Sequence, residues 1–149
     1  MINKVQTIKT ITKELIDYIK VKADVMVLEE GDSYKIEIIS EEPSLIIGMK
    51  GQNLYALEHL VRLLVNKRID EFAYLSLDIC DYKKRRKSEL ENMVNKIVSK
   101  VKQDKKSHEL ESMNPADRKI IHTICQSVDG ITSESIGFGN DRKVVIKIA

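Results

Sequence analysis

Two short sets of residues in this sequence have types and spacings that could do chemistry on a phosphate backbone. The first is Gly48, Met49, Lys50 and Gly51, a Gly-x-x-Gly between two apolar helical stretches. Glycines at both ends let the chain turn through conformations that a Cβ disfavours and let a ligand come close. The helix that follows points its free N–H groups and positive dipole end at the loop, and Lys50 adds one charge. The second set is Arg118 and His122, four residues apart and therefore on one helix face. A guanidinium fork and an imidazole can both donate to one phosphate, and either group can stack on a base. Between the sets runs Lys83, Lys84, Arg85, Arg86, Lys87, which can attract phosphate without reading sequence. Basic side chains in the first turns of a helix oppose its dipole by a few tenths of a kcal/mol, roughly, so helix stability does not explain the run.

These residues sit in a chain of 149 residues with 25 Lys+Arg against 23 Asp+Glu, a formal net charge of +2. The near balance hides a local excess. Residues 1–80 hold 10 basic and 13 acidic side chains, residues 81–106 hold 10 and 4, and residues 107–149 hold 5 and 6. With 42% hydrophobic residues the chain can build a core, and it has the length of one ordinary domain or two small ones. No run reaches the ~18 apolar residues of a membrane span, and no signal-peptide pattern opens the chain, so a cytoplasmic protein is expected. Cys80 and Cys125 lie in apolar stretches at no metal or redox spacing and read as reduced, buried thiols. Trp is absent and aromatics are 5%, which disfavours a surface built mainly on base stacking.

The elements that must position these residues follow from periodicity. Val5, Ile8, Ile11, Thr12, Leu15, Ile16 and Ile19 predict an amphipathic helix over 4–21. Strands are predicted over 24–29 and 34–39, joined at Gly31 and Asp32 and stopped by Pro43. Ser44 is expected to cap a short helical turn before the loop. A longer helix then buries Leu54, Leu57, Leu60, Val61 and Leu64 and ends near Arg68. Leu75, Leu77 and Ile79 alternate as a third strand. Leu90, Met93, Val94, Ile97, Val98 and Val101 mark one face of a long helix over about 83–102, with the basic run in its first turns. The polar residues 103–107 mark a boundary. Asn114 and Pro115 then open a helix with a stripe of Ile120, Ile121, Ile124, Cys125 and Val128, ended by Gly130. Arg118 and His122 fall beside that stripe, towards the surface. Strands over 131–138 and 142–148 flank a hairpin turn at 139–141.

Ile47 and Leu54 around the glycine loop, in the order helix–strand–strand–helix–helix–strand, resemble the type II KH domain over roughly residues 4–81. The resemblance implies a loop that clamps the backbone of about four unpaired nucleotides while an apolar groove holds the bases. Only Lys50 of the two middle loop residues is basic, so the loop itself attracts phosphate modestly. Met113, Asn114, Pro115, Arg118 and His122, followed by a hairpin carrying Arg142 and Lys143, resemble the small domain named for its R-x-x-x-H signature. That domain is associated with single-stranded nucleic acids. Ala116 stands where the family often has a bulky aromatic residue. The two in this order are similar to the bacterial Jag proteins, also called the KhpB family. Asp81, Tyr82 and the basic run stand where that family carries a similar cluster after its last KH strand. The small N-terminal Jag domain of many members has no counterpart here, so a short form is expected.

The expectation is an α+β chain: a type II KH domain (αββααβ) at 1–81, a long basic helix at 82–106, and a small α+β R-x-x-x-H domain at 107–149. It is expected to bind single-stranded RNA through Gly48, Met49, Lys50, Gly51, Lys83, Lys84, Arg85, Arg86, Lys87, Arg118, His122, Arg142 and Lys143. The resemblance implies post-transcriptional control linked to the cell envelope, division or sporulation, and pairing with a small single-KH protein or self-association. A protein-interaction adaptor and single-stranded DNA binding are the alternatives. His59, His108 and His122 are not at metal-ligand spacings, and no nucleophile motif or Walker lysine is present. No enzyme, metal or cofactor is therefore expected.

Overall fold

Asn3 opens the first helix, α1 (Lys4–Ile19), by accepting the Gln6 N–H at 3.0 Å. Ile8, Ile11, Thr12 and Ile16 are buried on one side of α1. The Thr12 hydroxyl donates to the Ile8 carbonyl at 2.8 Å, so its burial leaves no polar group unsatisfied. The computed structural model describes all of residues 1–149. It divides into two compact units, Met1–Lys83 and Lys84–Ala149.

In the first unit, β1 (Ala23–Glu30) and β2 (Ser33–Ser40) form the expected antiparallel hairpin. Tyr34, Ile36 and Ile38 point inward at the period of two that a one-sided sheet requires. Pro43 does more than stop the strand. It begins α2 (Pro43–Ile47), at a position where its missing N–H is not needed. Ser44, expected as a cap, lies inside α2, and its carbonyl accepts the Gly48 N–H at 3.0 Å. A 3-10 turn, Met49–Gly51, leads into α3 (Gln52–Ile69), and β3 (Tyr74–Ile79) then joins β2 in parallel, Leu77 opposite Ile36. The sheet order is β1-β2-β3, and the element order is the αββααβ of the sequence reading. One detail differs. The buried stripe of α3 is Leu54, Leu57, Val61, Val65 and Ile69, while Leu60 and Leu64 are exposed. They sit one residue, about 100° of helix rotation, off the line through 57, 61 and 65.

Strand β3 is an edge, and α3 covers its open backbone groups. The Leu77 N–H donates to the Glu58 carboxylate at 2.9 Å, and Arg62 donates to the Leu75 carbonyl at 3.2 Å. Those bonds remove the pairing template that a bare edge offers.

Helix α4 (Tyr82–Asp104) starts within the first unit and supplies the core of the second. Leu90, Val94, Val98 and Val101 are buried with Leu110, Met113, Ile121, Cys125, Ile131, Val144 and Ile146. This corrects the reading of residues 82–106 as a linker helix and of 107–149 as a domain alone. Four buried aliphatic side chains would lose about 1.5–3 kcal/mol each in solvent, and the 43 residues after the boundary at 107 lie near the lower size limit for a self-standing core. Two-residue β4 (His108–Glu109), too short to show a period, follows the helix. Next come α5 (Pro115–Gln126), β5 (Ile131–Ile136) and β6 (Lys143–Ile148), in an antiparallel sheet of order β4-β6-β5. The Asn114 cap is as expected, accepting the Asp117 N–H at 2.9 Å. Helix α5 ends at Gln126 rather than at Gly130, which turns the chain into β5 with φ 76°. No helix is long and apolar enough to cross a membrane.

Candidate nucleic-acid interface

The loop 48–51 is anchored from behind by the buried side chains of Ile46 and Ile47. Gly48, Lys50 and Gly51 all take positive φ, at 71°, 52° and 80°, and for the glycines this is the conformation that their lack of Cβ allows. Met49 is 79% exposed at the tip. At the front of the loop the Asn53 amide donates to the Leu45 carbonyl at 3.1 Å. No side chain caps the N-terminus of α3, and its first turn carries no acidic residue. The positive end of that helix is therefore presented at the loop.

The basic run divides by helix face. The Lys83 ammonium lies 2.8 Å from the Glu58 carboxylate and 5.6 Å from the centre of the Tyr55 ring. The Arg86 guanidinium donates through Nε and a terminal nitrogen to buried Asp117 at 3.1 and 2.9 Å, and its other terminal nitrogen meets Glu89 at 3.1 Å. Both were expected to face phosphate; both are instead engaged by carboxylates of their own units. Lys84, Arg85 and Lys87 are exposed.

In the second unit Arg118 and His122 share a face of α5 but not a free one. Arg118 donates to the Met113 carbonyl at 2.7 Å, which uses one of its five donors. Both ring nitrogens of His122 are hydrogen-bonded, Nδ1 to the Ser133 hydroxyl at 2.7 Å and Nε2 to that of Ser135 at 2.8 Å. Hydroxyls both donate and accept, so they can serve the neutral ring or the imidazolium. Burial lowers the His122 pKa below its ordinary 6.5, and the positive charges of Arg118 and Arg142 push the same way. Arg118, His122 and Arg142 are thus one electrostatic cluster. Lys143 stands apart in an ion pair with Glu109. Phe138, in the turn between β5 and β6, is 91% exposed.

Sequence reasoning missed Ser133, Ser135, Phe138 and the part played by Asp117. The serines carry a signal, two hydroxyls two apart on one strand face, but their pairing with His122 depends on tertiary packing. Asp117 reads as an ordinary first-turn acid of α5, and only its complete burial shows otherwise.

A backbone loop on an αββααβ unit and an Arg–His helix over a three-stranded sheet define a two-module protein of the KH and R-x-x-x-H classes. Residues 5–79 match the KH domain of KhpA/KhpB, and residues 88–147 match the R-x-x-x-H domain. The chain is similar to the RNA-binding protein KhpB of Bacillus subtilis (strain 168), 33% identical over 97% of this chain and 71% of that protein. It is 35% identical to the RNA-binding protein KhpB of Clostridium symbiosum over 80% of this chain, spanning 54% of that relative's length. With KhpB of Streptococcus pneumoniae serotype 2 the identity is 31% over 96% of this chain and 47% of the relative. The chain belongs to the KhpB family.

Proposed function

We propose that this chain binds single-stranded RNA in the bacterial cytoplasm and acts in post-transcriptional control. The observation that carries the reading is the uncapped start of α3 behind a loop with three left-handed residues, in a chain whose relatives are named RNA-binding proteins. Gly48, Met49, Lys50 and Gly51 hold the sugar–phosphate backbone. Lys84, Arg85 and Lys87 add attraction that does not depend on sequence. Arg118 and Arg142, with His122 between the serines, hold a second phosphate or base. Lys83, Arg86 and Lys143 act through their carboxylate partners as supports. Two weak sites on one chain gain from effective concentration.

Roles in the cell envelope, division or sporulation belong to the same proposal. So does pairing with a small single-KH protein or a second copy, which exposed Tyr18, Leu60, Leu63 and Leu64 on the helical side of the first unit support. The test is affinity for an unstructured RNA oligomer at physiological salt, with Met49→Asp plus Lys50→Asp as the comparison. Two negative charges on an exposed loop lose little core and weaken binding about tenfold or more, while thermal unfolding stays put. Wild-type affinity no tighter than ~100 μM would favour the adaptor reading, and tighter binding to DNA of the same sequence would favour the single-stranded DNA reading.

A further inference from the structure

We infer that Tyr82 is a positioning residue for the loop 48–51, its ring holding the turn at Gly51 in the shape that receives a backbone phosphate. The inference rests on the RNA-binding reading above and adds one residue to that site.

The route of the chain into Tyr82 is unusual. Cys80 and Asp81 follow one another with φ 47° and 57°, a left-handed conformation that residues with a Cβ disfavour and that persists only where the surroundings enforce it. The surroundings here do so. The Cys80 N–H donates to the Ile38 carbonyl at 2.9 Å, and Asp78 accepts the N–H groups of Ile79 and Lys83 at 2.8 and 3.2 Å. The consequence is a close approach. A Cβ built on Gly51 would lie 2.7 Å from Tyr82 Cε1, 3.1 Å from the Tyr82 hydroxyl and 3.1 Å from Tyr55 Cε2. Lys83, next in the chain, ties the start of α4 to Glu58 on α3 at 2.8 Å.

The two ends of the loop are therefore held differently. At Gly48 the backbone N–H bonds to Ser44, and Asn53 packs where a Cβ would stand, its amide bonded to Leu45. At Gly51 the N–H reaches the Gly48 carbonyl at 3.3 Å, a long bond, and the rings of Tyr82 and Tyr55, both packed against the core, close on the turn, Tyr82 nearest. A loop whose left-handed turns are held before the ligand arrives has less entropy to lose on binding.

The experiment uses the full chain and two readouts: amide hydrogen exchange across residues 48–53 without RNA, and affinity for a short oligouridylate. Tyr82→Ala speeds exchange at 49–51 and weakens RNA binding, each about tenfold, as the turn loses its preorganisation. Tyr82→Phe keeps both close to wild-type values, because the ring edge that comes nearest to Gly51, Cε1 at 2.7 Å from the Cβ position, remains. Gly51→Ala weakens binding alone, and its effect shrinks in the Tyr82→Ala background, where the methyl group no longer meets the ring. Should Tyr82→Ala unfold the first unit, Tyr82→Leu, which keeps apolar bulk without a flat ring, carries the same expectation. Unchanged exchange at 49–51 in Tyr82→Ala overturns the inference, as does a Tyr82→Phe variant that loses as much as Tyr82→Ala. If Met49→Asp plus Lys50→Asp weakens binding while Tyr82→Ala does not, the inference fails and the RNA reading stands. If exchange at 49–51 rises in Tyr82→Ala but neither change alters affinity, the positioning stands and the RNA reading fails.

Discussion

The loop 48–51 offers backbone, whereas the face of α5 offers side chains, and the two sites differ in what can disable them. In the first unit the parts proposed to hold RNA are left-handed turns and the uncapped start of α3, with Met49 and Lys50 at the tip. Their geometry depends on glycines and on the residues behind them. In the second unit the contacts proposed for Arg118, His122 and Arg142 work through charge and hydrogen bonds, and His122 depends on hydroxyls 11 and 13 residues away and on its own ionisation. A backbone site is lost by adding atoms; a side-chain site is lost by removing a partner or a proton.

The largest effect that would test this contrast lies beneath the second site. Arg86→Met leaves Asp117 buried and unpaired, which costs about 3–5 kcal/mol. Hydrogen exchange should show the loss throughout Lys84–Ala149, with Asp117→Leu in the same chain restoring most of it. A stable Arg86→Met protein would mean that the pair does not hold the second unit together. Next in size, Arg118→Ala should weaken RNA binding about tenfold through a lost charge-assisted contact. His122→Ala should cost less, and the two together less than their sum, since they serve one ligand. Additive losses would separate the cluster into independent residues.

Salt sharpens the comparison further. Replacing Lys84, Arg85 and Lys87 by Gln should lower the slope of log affinity against log salt by about 2, at ~0.7 for each phosphate contact on a single strand. An unaltered slope would mean that these exposed charges are only solvated. The smallest effect is with pH. Because the folded His122 pKa lies below 6.5, the unfolded chain takes up the proton first as the solution is acidified. The contribution to stability is therefore complete above 6.5 and is lost as pH falls from there through the lowered folded value. The second unit should melt earlier in that window, and His122→Gln should remove the dependence. If protonated His122 contacts phosphate, RNA binding through this face should tighten in the same window below 6.5 rather than around it.

How much of this was legible in the sequence follows from the same contrast. The glycine pair and the helix–strand order were readable because turns and periodicity are local, and so was the Asn114–Pro115 start of α5. The long helix was readable too, but not its allegiance. An amphipathic stripe says that a helix is buried, not against what, so the stripe of α4 alone reads as a linker helix, whereas α4 shares a core with Leu110, Ile121 and Val144. The basic run looked uniform because side-chain type does not record helix face. Residues 83 and 86, one turn apart, face carboxylates supplied by Glu58 and Asp117, some 25 and 31 residues away. Ser133 and Ser135 could not be assigned to His122 for the same reason.

The proposal at the centre is that both units engage RNA, and amide hydrogen exchange of the full chain with and without a saturating unstructured RNA tests it most directly. The account predicts slower exchange in two separate places: the loop and first turn of α3 at 48–54, and α5 with the β5–β6 turn at 118–122 and 137–142. Met49→Asp plus Lys50→Asp should abolish the first footprint and weaken the second through lost effective concentration. Protection confined to one unit, or to neither, would contradict it.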